Sequence, residues 1–173
     1  MLRILRPILS LNIIKQIYFS YVHSVLNYGI MFWGNSPHSK TIFKTQKRIV
    51  RIIMKPKAKD CREMFCKPGI LTLYSQYIYS TLMFVVKHKD ICTLNVELHN
   101  LNTRHRFDLH IPSVTVTKVQ KGAYYSGITL FNYIPSSVKR IAGDTNKFKH
   151  ALKMYLMEKY SYSVEEYIVN DTN

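Results

Sequence analysis

Acidic residues are scarce in this chain: 10 Asp and Glu stand against 25 Lys and Arg in 173 residues, a formal charge of +15. A balance so far from neutral points to a polyanionic partner or surface. The few acids are also scattered. Asp60, Asp90, Asp108, Asp144 and Asp171 are isolated, and the one adjacent pair, Glu165-Glu166, follows Ser163 in a capping-box pattern that opens a short helix. No carboxylate cluster of the kind that holds two metal ions for phosphoryl transfer can be read. Cysteine is sparse as well. Cys61, Cys66 and Cys92 form an odd set without Cys-x-x-Cys and without histidines at metal-ligand spacing, which argues against a zinc site and for reduced thiols in an intracellular protein, nuclear or cytoplasmic.

Uninterrupted apolar runs are missing too. Residues 16 to 39 and 68 to 86 lack charge, but Ser, Asn, Gln, His, Thr and Tyr dilute both, and Gly29, Gly34 and Pro37 break the first, so buried helices are expected and no membrane contact. The basic opening Met1 to Pro7 lacks the apolar core and small-residue cleavage site of a signal peptide. Ser, His and Asp are present, among them His105 and Asp108, yet no elbow or oxyanion loop surrounds any serine, which speaks against a hydrolase. No catalytic residue, metal ligand or cofactor is assigned.

What the chain does have is a 47% apolar content, ample for a core, and an uneven charge. Residues 1 to 90 carry 15 Lys and Arg against 3 acids, whereas residues 91 to 173 carry 10 against 7. Ser10 is placed to cap a helix from about Leu11, with Ile14, Ile17, Tyr18, Tyr21, Val25 and Tyr28 as its inner face. Ser36-Pro37 predicts the start of a second helix. On it, Lys44, Lys47, Arg48, Arg51 and Lys55 share a narrow sector opposite Ile42, Ile49, Val50 and Ile53. Like charges at these spacings cost a few tenths of a kcal/mol per pair, roughly, and an external anion would relieve that cost. Lys57, Lys59 and Arg62 continue the basic surface beyond Pro56, and Arg104 and Arg106 form a second, smaller cluster, equally readable as a surface loop.

A third helix is expected from about Thr72 to Lys87 and an extended segment at His110 to Thr117, as a connector or a short hairpin arm. Helical spacing returns at Tyr124 to Tyr133, weakly at Val138 to Ile141, and after Asp144 with Phe148, Ala151, Leu152, Tyr155 and Leu156 as the inner stripe. The 13 tyrosines could stack on bases, but most recur beside Ile, Leu and Val, which favours packing. Trp33 reads as a packing anchor. The fold class is mainly α: a small basic bundle over residues 1–90, an irregular or short β link over 91–122, and a smaller helical part over 123–173.

The run Ile17 to Gly34, rich in tyrosine and ending in Tyr28-Gly29 and Trp33-Gly34, is followed by Gln46-Lys47-Arg48. Asn102-Thr103-Arg104, then Tyr125-x-Gly127-Ile128-x-Leu130-Phe131-Asn132-x-Ile134-Pro135, then Phe148-Lys149-x-x-Leu152-Lys153-x-Tyr155-Leu156 come after it. In order and spacing these resemble the thumb and post-thumb region of non-LTR (LINE-like, jockey-type) retrotransposon reverse transcriptases. The resemblance implies a fragment or remnant of an RNA-directed DNA polymerase without its palm aspartates, so no polymerase activity is expected of the chain alone. It also implies non-specific contact with the backbone of an RNA/DNA hybrid or duplex, through the cations of the second helix. The competing expectation is a non-catalytic interaction module, or an inactive remnant, that binds an intact polymerase or itself through uncovered apolar faces.

Overall fold

The computed structural model describes residues 2–54, 62–88, 92–95, 108–113 and 122–169. They are mainly helical: α1 (Leu2–Leu5), α2 (Leu11–Ile17), a π turn (Tyr18–His23), α3 (Ser24–Asn27), α4 (Ile30–Trp33), α5 (Ser39–Met54), α6 (Arg62–Cys66), α7 (Leu73–Lys87), α8 (Ala123–Asn132), α9 (Ser136–Arg140), a 3-10 turn (Ile141–Gly143), α10 (Thr145–Lys159) and α11 (Val164–Val169).

The first expected helix is interrupted by a change of period. Its inner face was predicted at 3.6-residue spacing, but in the π turn each i→i+5 bond encloses about one residue more than an α turn, and the pattern slips. Inward positions become Ile14, Tyr18, Val22, Leu26 and Ile30, while Tyr21, Val25 and Tyr28 turn outward at 66, 73 and 86% exposure. Ser20 and Ser24 back-bond to the carbonyls of Gln16 and Ser20, a local competition that bends helices. Ser10 precedes α2 in extended backbone as predicted, although its side chain makes no capping bond.

The second helix starts later than Ser36-Pro37 suggests. Ser39 opens it instead, because its hydroxyl donates to the Trp33 carbonyl at 3.0 Å and its N–H to the Ser36 carbonyl at 3.0 Å, which uses residues 34 to 38 as the turn. Trp33 anchors that corner: half-buried against the core, it donates its indole N–H to the Tyr28 carbonyl at 2.8 Å.

α7 sits at the centre of the fold. Thr72 caps it, accepting from the Ser75 N–H at 3.1 Å and donating to the Ser161 carbonyl at 2.7 Å, so one buried hydroxyl joins the helix start to the C-terminal segment. Apolar side chains lie on every side of it: Leu73, Tyr77, Ile78, Leu82, Val85 and Val86 are all buried. α8 makes its most extensive packing contact, α10 the next, and α4 follows. A methyl group on Gly127 would stand 2.5 Å from Val85 Cγ2, so glycine permits the close approach of α8. On the other side, a Cβ on Gly34 would meet the Tyr77 ring at 2.5 Å and the Ile30 carbonyl at 2.6 Å. The core is continuous from Ile14 to Tyr167, and the α7–α8 contact crosses the charge boundary near residue 90.

The extended segment differs from expectation. His110 to Ser113 form no strand, Val114 to Thr117 lie outside the described residues, and among the described residues a β-bridge pairs Leu94 with Leu109, bonded through Asn95 N–H to Asp108 O and His110 N–H to Thr93 O. Asn132 continues this pairing with its side chain, accepting from Leu109 N–H at 2.8 Å and donating to Leu109 O at 2.9 Å. Lys139 closes the corner on Asp108 at 2.6 Å.

The later helices follow their caps. Asp144 accepts from Asn146 and Lys147 N–H at the start of α10, and those bonds hold its carboxyl below the usual range. Ser163 accepts from Glu166 N–H in α11, and Glu166 reaches back to Tyr162 N–H at 2.7 Å.

Candidate nucleic-acid interface

The candidate interface is the outer face of α5, and its inner face explains how it is held. Phe43, Gln46, Val50 and Ile53 are buried. Gln46 is fully paired: its amide donates to the Tyr18 hydroxyl and to the Leu71 carbonyl, each at 3.0 Å, and its oxygen accepts from Leu73 N–H at 2.9 Å. One side chain thus ties α5 to the π turn and to the start of α7. Burial pushes the Tyr18 hydroxyl up to about 12, although the Gln46 bond pulls the other way. Gln46 works inside the fold. At the far end of α5, the Arg6 guanidinium donates to Ile53 O at 2.6 Å and fastens the chain's opening to the helix.

The predicted basic residues divide into three groups. Lys44, Arg48 and Arg51 are exposed on the outer face, as the wheel predicts. Lys47 and Arg62 are engaged with partners of the chain itself, Arg62 at an exposed position. Lys47 is half-buried, its ammonium 4.7 Å from the centre of the Phe43 ring and 5.4 Å from that of Tyr162, because its position on the wheel borders the buried face. Arg62 pairs with Glu166 and lies 5.3 Å from the Tyr162 ring, so it fastens α6 to α11. Lys55, Lys57, Lys59, Arg104 and Arg106 lie outside the described residues.

One cation was missed. Lys40 is exposed on the first turn of α5, and stepping 100° per residue back from Lys44 places it in the same sector. With it the outer face reads Lys40, Lys44, Arg48, Arg51, a rise of about 16 Å along the helix. No Asp or Glu occurs in residues 1 to 59, so nothing on this helix or before it neutralises the row. Lys44 and Arg48 make no ion pair with a described residue, whereas ion pairs within the described residues hold Lys67, Lys139, Lys147 and Arg62. The arrangement is an exposed line of cations on a helix whose other side is locked into the core.

No family model, curated protein or solved structure matches this chain. Its chemistry is therefore read from its own residues. Among the described residues no group of three His, Cys, Asp or Glu is placed to hold a metal ion, and no helix is long and apolar enough to cross a membrane. Cys66 is an exposed free thiol and Cys92 a half-buried one, whose thiol is pushed up by burial. Asp108 is engaged with Lys139, and His105 lies outside the described residues.

The aromatic residues sort in both directions. Tyr18, Tyr74, Tyr77, Tyr160 and Tyr167 are buried in the core, as their spacing suggests, while Tyr21 and Tyr28 stand free of it with Val25 and Phe32. The outward turn follows from the π segment, which helical periodicity does not reveal.

Proposed function

We propose that this chain is the thumb and post-thumb part of a reverse transcriptase of the non-LTR retrotransposon type, and that it holds the backbone of a nucleic-acid duplex without reading its sequence. The observation that carries this reading is the outer face of α5: Lys40, Lys44, Arg48 and Arg51 in one exposed row, with no acid in the first 59 residues. Such a row meets phosphates spaced along a strand and releases their counterions. The family resemblance supports the same reading, and the quoted residues Gly34, Gln46 and Asn132 each have a structural task that only their own side chain, or its absence, performs. On this reading the chain positions nucleic acid and does not itself polymerise, its aspartates being scattered.

Fluorescence-anisotropy titration with an RNA/DNA hybrid and with duplex DNA across a salt series tests the proposal. Four phosphate contacts give a slope of log affinity against log salt of about −3.6. Binding that ignores salt, or no binding by a folded protein at low salt, would overturn it.

A second reading is favoured by one observation, the exposure of Tyr21, Val25, Tyr28 and Phe32 at 66, 73, 86 and 79%. Large apolar side chains left in water along one run of chain mark a protein contact, with an intact polymerase or a second copy. That contact would hold or strengthen as salt rises, which separates it from phosphate binding.

A further inference from the structure

A cleft of about 590 Å³ opens beside the first turn of α5, where the turn before that helix faces α7, α8 and the cap of α11. Its size falls within the range of roughly 300–1,000 Å³ typical of small-ligand sites. The floor is aromatic: Tyr74 and Tyr77 are buried there. Phe32 stands at the rim, 79% exposed, with its ring free to take a planar partner. Two opposite charges share the wall, Lys40 and Glu165. The Glu165 carboxyl is held below its usual range by its own backbone N–H, by the Ser163 hydroxyl and by Lys40, so it is a carboxylate at neutral pH. Its charge also helps burial to push the Tyr74 hydroxyl up.

A ligand for this cleft must offer a flat ring to Phe32, N–H donors to Glu165 and an anion to Lys40. A basic peptide would satisfy the carboxylate alone, and the +15 charge of the chain repels it. A nucleotide satisfies all three. Among the bases, guanine alone presents two adjacent N–H groups on its pairing edge, the pair that one carboxylate accepts together. That edge is occupied in a duplex, so the base must be unpaired.

We propose that the cleft takes one unpaired guanine nucleotide beside the duplex held by α5, with Phe32 stacking on the base, Glu165 accepting its two N–H groups and Lys40 meeting its phosphate. The inference rests on the nucleic-acid reading of the α5 face, since Lys40 is the first cation of that row and leads from one site into the other.

The test is anisotropy binding of a hybrid hairpin, blunt or ending in a single-nucleotide overhang of G, A, C or U, at one salt concentration. The G overhang should bind about tenfold tighter than the A overhang. Glu165→Gln should erase that preference and leave the blunt hairpin unchanged, and Phe32→Ala should bring every overhang to the blunt level. Both side chains are exposed, so circular dichroism should stay that of the wild type. Equal binding of all overhangs, or a G preference that survives Glu165→Gln, would overturn the cleft and leave the α5 row standing. A blunt hairpin that fails to bind overturns the α5 row instead. The cleft is then decided by saturation-transfer NMR with GMP and AMP, where a GMP signal lost in Glu165→Gln sustains it and equal signals refute it.

Discussion

α5 and α7 are nearly equal in length, 16 and 15 residues, yet they meet the rest of the chain in opposite ways. α7 is packed by α8, α10 and α4, and of its residues only Tyr79, Ser80 and Phe84 are half-buried and Lys87 exposed. α5 buries one stripe and leaves the opposite one to water, all of it cationic or neutral. The difference teaches where each kind of change should be felt. Substitutions around α7, or on the inner stripe of α5, act on stability; substitutions on the outer stripe act on binding.

The strongest challenge to this division is Gln46→Ala. It removes three buried hydrogen bonds and leaves the Tyr18 hydroxyl, Leu71 carbonyl and Leu73 N–H to find other partners, an expected cost of about 4 kcal/mol read by urea denaturation. Gly34→Ala should cost about 3 kcal/mol by the same measurement, since the added methyl meets a backbone carbonyl and the Tyr77 ring, neither of which can swing away. A stability unchanged by either would mean that α7 is not the packed centre described here.

Reversal of the outer stripe sharpens the comparison from the other side. The triple variant Lys44→Glu, Arg48→Glu, Arg51→Glu should lower duplex affinity about a hundredfold, roughly 2.7 kcal/mol, with its unfolding midpoint near that of the wild type. Lys47 is left out, since its ammonium lies over the Phe43 and Tyr162 rings and its loss would mix the two effects.

The smallest expected effect concerns His23. Burial, with Lys153 adding to it, holds its pKa below the ordinary value of 6.5. A folded value below the unfolded one means that the neutral imidazole supports the fold above about pH 6.5, and that this support is lost as pH falls below it. A modest loss of thermal stability from pH 7 to pH 5, reduced in His23→Gln, would register it. An identical slope in both proteins would place the acid sensitivity elsewhere.

The sequence made α7 legible because a capping Thr72, an uncharged apolar run and a terminal lysine agree on its limits. Asp144 and Ser163 announce α10 and α11 for the same reason. The first helix was misread since a wheel assumes one period, and nothing in Tyr18 to His23 signals a π turn: the order of Tyr21, Val25 and Tyr28 fits an α face that the chain does not form. Of the candidate site, Lys44, Arg48 and Arg51 could be placed from periodicity alone. Lys47 and Arg62 could not, because their partners Tyr162 and Glu166 lie a hundred or more positions along the chain from each. Lys40 was within reach of the same periodicity once the helix was known to begin at Ser39.

The most direct measurement is the salt dependence of duplex binding for the wild type and the Lys44→Glu, Arg48→Glu, Arg51→Glu variant, both shown folded by circular dichroism. The account predicts a slope of about −3.6 for the wild type that falls to about −1 in the variant, on any duplex sequence. Equal slopes in the two proteins would contradict it and pass the binding, and with it the function, to another surface.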